Sequence, residues 1–144
     1  MPGYNTHRLF NYIIFIVAVL VVYYSGILHL SLVQLLVFGL GFYVGTEFVT
    51  PDLDIDSSAY KRWGRLRFLM LPYKWLFKHR QSSHNIFYGA IVRILYITAI
   101  IAVSYYLIFK SLPLENILYP FHILIFLGGI IAANTLHVIL DGIF

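Results

Sequence analysis

Polar side chains are scarce in this sequence, so the spacing of the few that could do chemistry stands out. Asp52, Asp54 and Asp56 alternate through the run Thr50-Pro51-Asp52-Leu53-Asp54-Ile55-Asp56. Pro51 disfavours helix at Thr50. In an extended chain alternate residues share a side, which predicts three carboxylates facing one way. Carboxylates that close repel unless a cation lies among them, so metal binding is the chemistry indicated, with a solvated acidic turn as the alternative. An EF-hand loop is excluded, because Ser57 stands where that loop requires glycine.

Histidine supplies the other candidate ligands. His79 and His84 flank the short polar stretch Arg80-Gln81-Ser82-Ser83, and neutral imidazole is a common ligand for zinc and related ions. Headgroup contacts explain that pair equally well. Asn134, His137 and Asp141 fall at i, i+3 and i+7 in an otherwise apolar stretch. One helical stripe therefore carries all three, with His137 and Asp141 one turn, about 6 Å, apart. Two ligands at i and i+4 can chelate one ion from a single helix; a histidine hydrogen-bonded to an aspartate is the structural alternative. Arg93 lies within another apolar stretch, where a guanidinium needs an anionic partner or a water-filled cavity. Asp141, Glu47 or a substrate phosphate would each serve.

The elements that must position these groups follow from composition. The chain has 144 residues, 60% of them hydrophobic and 11% charged, with mean hydropathy +0.82. Ordinary soluble domains carry about 25% charged residues, so a soluble fold, disorder, collagen and coiled coil are all excluded. The length suits one domain, residues 1–144. There is no cysteine, which removes disulfides, thiolate metal sites and cysteine nucleophiles. Four apolar blocks cover about 9–24, 31–49, 86–109 and 117–140, each near the length of a membrane span. No small-x-small cleavage site follows Val22 (Tyr23-Tyr24-Ser25-Gly26), so the first block reads as a retained span.

Ser25-Gly26 and Lys110-Ser111-Leu112-Pro113 break the two pairs of blocks. The expected fold is an all-α membrane bundle of four transmembrane helices, arranged as two antiparallel hairpins joined by residues 50–84. Seven of the ten Lys and Arg residues lie between Lys61 and Arg80, and such residues favour cytoplasmic loops. The joining segment and both termini are therefore expected on the cytoplasmic side of the cell membrane. That topology brings His7, His79, His84, His137 and all four aspartates to one membrane level, leaving His29 and His122 toward the other. Gly41 and Gly45 in the second block, and Gly128, Gly129, Ala132 and Ala133 in the fourth, permit close helix approach. Residues 61–80 mix cations with aromatics, including both tryptophans. This composition suits a helix lying in the interface against anionic lipid headgroups and argues against nucleic acid as a partner.

The run from Thr50-Pro51-Asp52-Leu53-Asp54 through Tyr60-Lys61-Arg62-Trp63-Gly64, Leu66-Arg67-Phe68, Pro72-Tyr73, His79-Arg80, Ser83-His84, Gly89, Arg93 and Tyr96 resembles a family of uncharacterised prokaryotic metal-binding membrane proteins. That family is distantly similar to inner-membrane metal-dependent hydrolases. The resemblance covers residues 1–97 and, more loosely, His137 and Asp141. It implies metal contacts at His7, Asp52, Asp54, His79, His84, His137 and Asp141. Asn85 stands where the family often has serine, which puts a hydroxyl role there in doubt. The His137-Val138-Ile139-Leu140-Asp141 step is also similar to the HxxxD step of zinc-dependent phospholipase C and related nucleases.

The function expected from these residues is a membrane-embedded hydrolase acting on a phosphate ester or lipid substrate. It would use one or two divalent ions, zinc before manganese, to lower the pKa of a water and polarise a phosphoryl oxygen. Asp54 is the expected base or orienting group, and Arg93 the expected phosphate contact. The alternative is a non-catalytic protein in which the ion staples the helices together.

Overall fold

The computed structural model describes residues 3–77, 88–112 and 120–143. Among them the chain is helical with no strands. Four long helices dominate: α1 (Tyr4–Ser25), α2 (Leu32–Glu47), α5 (Tyr88–Phe109) and α6 (Pro120–Ile143). The short elements between α2 and α5 are a 3-10 turn (Pro51–Asp54), α3 (Ser58–Arg62), a 3-10 stretch (Gly64–Met70) and α4 (Leu71–Leu76). Four helical stretches are long and apolar enough to cross a membrane.

Local sequence sets the boundaries. Gly26, in the left-handed region at φ 63°, ends α1 by donating its N–H to the Val22 carbonyl, a conformation in which glycine has no Cβ to strain. Ser31 and Gln34 form a reciprocal capping box at the start of α2: the Ser31 hydroxyl accepts from the Gln34 N–H at 3.2 Å, and the Gln34 side chain accepts from the Ser31 N–H at 2.9 Å. α1 starts five residues before the expected 9–24, since polar contacts of Tyr4 and His7 hold its first turns.

The tightest seam joins α2 to α6. A Cβ added at Gly41 would collide with the backbone carbonyl of Phe126, and one at Gly129 with that of Phe38. At Gly45 it would come within 2.9 Å of both the Ile130 Cα and the Ala133 Cβ. Gly128 has only the Phe38 ring nearby, at 3.9 Å. Of the four small residues expected in α6, Gly129 and Ala133 therefore form the contact.

Two expectations about the joining segment need correction. The acidic run is not extended. Thr50 caps a 3-10 turn by accepting from the Asp52 N–H, and Pro51 opens that turn. With three residues per turn, Asp52 and Asp54 point to different sides, and Asp56 lies beyond the turn. Nor do the described residues of the basic segment form one helix. Gly64, at φ 54°, and Pro72 divide it into short pieces. These pieces bury Leu53, Tyr60, Met70 and Tyr73 against Val92, Tyr96, Ile97 and Ile100 of α5. Burial pushes the Tyr73 phenol above its ordinary pKa. The Tyr96 hydroxyl donates to the Leu69 carbonyl at 2.5 Å, and the Trp63 indole donates to the Phe48 carbonyl at 3.1 Å.

Candidate metal centre

α1 and α6 meet at His7, His137 and Asp141, whose ligand atoms lie within 4.8 Å of one another. Both histidines are buried and Asp141 is half-buried. The two imidazoles stack with centroids 3.8 Å apart and planes 10° from parallel. Both present Nε2 to the same carboxylate: His7 Nε2 lies 3.1 Å from Asp141 Oδ1, and His137 Nε2 lies 3.5 Å from Asp141 Oδ2. Asp52, at the start of the 3-10 turn, brings Oδ1 to 3.5 Å from His137 Nε2. Three elements far apart in sequence thus contribute two imidazoles and two carboxylates.

Neighbouring polar groups fix the backbones that carry these ligands. Asn11, one turn after His7, donates to the Thr46 hydroxyl at 3.1 Å and to the Ala133 carbonyl at 3.2 Å. These two bonds tie α1 to α2 and to α6. Asn134, one turn before His137, accepts from the Arg93 guanidinium at 2.9 Å and donates to the Ile130 carbonyl at 2.8 Å. A pocket of about 310 Å³ adjoins the cluster, lined by Tyr4, His7, Asp52, Ser57, Lys61 and Asp141 among others.

The donor set fits a divalent ion. Imidazole nitrogen with carboxylate oxygen is the ligand combination of zinc and of manganese-type sites. Two carboxylates held this close in a partly buried place also repel each other unless a cation or proton lies between them. His7 Nδ1 is buried with no hydrogen-bond partner among the described residues, so Nε2 is not the only ring nitrogen His7 could offer.

Other candidate residues lie elsewhere. Asp54 is buried on the far side of the turn, within electrostatic reach of Arg93 and Tyr73. Arg93 is 1% exposed, with its guanidinium on Asn134 and, at 3.4 Å, on the Tyr73 hydroxyl. Neither residue lines the pocket. The expected Arg93–Glu47 pair is not formed, because Glu47 is engaged by other partners. Asp56 is exposed and accepts from Lys74 at 2.7 Å, an ion pair that holds its carboxyl below the usual range. His79 and His84 lie outside the described residues.

Sequence reasoning missed the arrangement around Glu47. This fully buried carboxylate accepts from the Tyr4 and Tyr12 hydroxyls, each at 2.6 Å, from Arg8 at 2.8 Å, and from Arg62. The signal was present as Tyr4, Arg8 and Tyr12 at four-residue spacing, together with a lone glutamate at the end of an apolar block.

The family described as Uncharacterized metal-binding protein (DUF2227) matches residues 2–144, and this chain belongs to that family. A relative from Aquifex aeolicus (strain VF5), described as Uncharacterized protein, is 42% identical over 62 residues. The match covers 42% of this chain and 43% of that relative, so the chain aligns with less than half of the relative's length. No solved structure matches. The expected likeness to inner-membrane hydrolases has no counterpart among these matches.

Proposed function

We propose that this chain is an integral membrane protein of four spans in two antiparallel hairpins. Both termini and the joining segment would face the cytoplasm, and a divalent metal centre would lie at that face. The observation that carries this reading is the convergence of His7 and Asp141, 134 positions apart in sequence, at 3.1 Å. His137 and Asp52 complete the ligand set. Family membership supports metal binding independently of this geometry.

We further propose that the centre serves a hydrolase acting on a phosphate ester or lipid substrate, zinc being the first choice of ion and manganese the second. A divalent ion there supplies Lewis acidity to a phosphoryl oxygen and lowers the pKa of a water. The chain's own residues hold the ion, orient its ligands and shape the approach. Asn11 and Asn134 fix the two histidine-bearing helices. The pocket beside Asp52 and Asp141 gives a substrate access, with Lys61 on its wall. Arg93 and Asp54 act as supports behind the site, since both are buried away from the pocket. A structural ion is the second reading, favoured by the origin of the ligands in three separate elements.

Elemental analysis of the purified full chain tests metal binding: one divalent ion per chain is expected, and its absence would falsify the reading. Metal-dependent release of phosphate from a phosphomonoester or phospholipid then separates the two roles. Turnover abolished by chelation supports the hydrolase. A lower unfolding temperature after chelation, without turnover in the loaded protein, supports the structural ion.

A further inference from the structure

The Glu47 cluster has one anion fewer than its cations need. Oε1 accepts from Tyr12 and Arg8, and Oε2 from Tyr4 and Arg62. An ionised carboxylate has about four acceptor positions, and each guanidinium has five N–H donors. Glu47 is therefore saturated, while among the described residues most donors of both arginines are not. Two positive charges meet a single negative one. Both guanidiniums also remain open to the surroundings, with the Arg8 side chain 46% and the Arg62 side chain 33% exposed, against a carboxylate that is fully buried. The aromatic rings restrain them further: Arg62 lies over the Tyr4 ring at 5.2 Å and Arg8 over the Tyr12 ring at 6.0 Å.

We infer that Arg8 and Arg62 form a preoriented clamp for the phosphodiester of an anionic phospholipid headgroup, with Glu47 setting their spacing. Guanidinium forks match phosphate oxygens in geometry as well as in charge. The place fits a lipid more than a free anion. The clamp sits at the N-terminal end of α1 and the C-terminal end of α2, beside an edge-to-face series of Tyr43, Phe48 and Trp63. Aromatic residues of this kind collect at headgroup level. The inference stands apart from the metal reading, since His7 leaves α1 on a different face from Tyr4, Arg8 and Tyr12 and no metal ligand belongs to the clamp.

Native mass spectrometry of the full chain, released from neutral detergent and exposed to phosphatidylglycerol, phosphatidylcholine or inorganic phosphate, tests the clamp. Wild type should retain phosphatidylglycerol over phosphatidylcholine, and Arg8→Gln and Arg62→Gln should each reduce that preference about fivefold, the effect of one basic residue near an anionic surface. Lys74→Gln, which removes the pair with Asp56 and the contact over the Tyr60 ring and touches no residue of the clamp, should leave it unchanged. Equal retention of the two lipids by wild type overturns the inference without recourse to any variant. So does an undiminished preference in both arginine variants. Displacement of phosphatidylglycerol by inorganic phosphate at equal concentration overturns the assignment to lipid.

Discussion

The two faces of α1 carry opposite electrostatic problems. On one face His7 meets His137, Asp141 and Asp52, a group rich in lone pairs and negative charge. On the other, Tyr4, Arg8 and Tyr12 meet Glu47 and Arg62, a group rich in N–H and O–H donors. Both clusters lie at the same end of the molecule and tie α1 to its neighbours, yet the first gathers imidazoles and carboxylates and the second gathers guanidiniums and phenols around one carboxylate. The contrast shows that burial alone does not reveal what a polar cluster binds. The kind of group it gathers, lone pairs in one case and N–H and O–H donors in the other, is the better guide.

Substitutions can separate these clusters. The largest effect is expected from Glu47→Ala, which leaves two guanidiniums around an empty carboxylate position. Two phenols and two guanidiniums lose their shared acceptor and a fully buried side chain is truncated, so thermal unfolding in detergent should show the largest loss of stability of the series. His137→Ala should lower metal affinity by about 100-fold or more, beyond the 10–100-fold typical of groups that merely orient a ligand. Metal titration of His29→Ala should match wild type, and equal retention of metal by both variants would break the distinction between the faces. Gly41→Ala forces a methyl group into the Phe126 backbone, so overpacking of about 1–3 kcal/mol should appear as lower thermal stability with metal stoichiometry preserved. Asp56→Asn should do least. Lys74 lowers the Asp56 pKa, so the pair favours the folded state above the ordinary carboxylate pKa of about 4, and its contribution fades as pH falls through the depressed value. Unfolding at neutral pH should barely change, as expected for an exposed ion pair, and the variant should lose only that acid-limb dependence.

Much of this was legible because lipid-length apolar runs and glycine spacing are local properties. The four long helices and the Gly41, Gly45 and Gly129 contacts follow from them directly. The meeting of His7, Asp52, His137 and Asp141 was reachable through the expected topology, in which hairpins would bring helix ends to one level. Side-chain direction within the joining segment was not reachable in the same way. Thr50 and Pro51 select a tight turn over an extended run, and that choice separates Asp54 from Asp52. The partner of Arg93 was illegible for another reason. Glu47 was a sound electrostatic candidate, but four donors, Tyr4, Arg8 and Tyr12 of α1 and Arg62 of α3, already occupy it, so Arg93 turns to Asn134 and Tyr73. Competition among several donors for one acceptor is a property of the assembled molecule.

The four-residue repeat of Tyr4, Arg8 and Tyr12 has a consequence for how α1 finds its longitudinal position. A slide of one turn, about 5.4 Å, would still offer Glu47 an arginine or a tyrosine, so that contact tolerates a register error. The same slide would replace His7 with Asn11 or Gly3 opposite Asp141. The imidazole is thus the key that tells one helical step from the next.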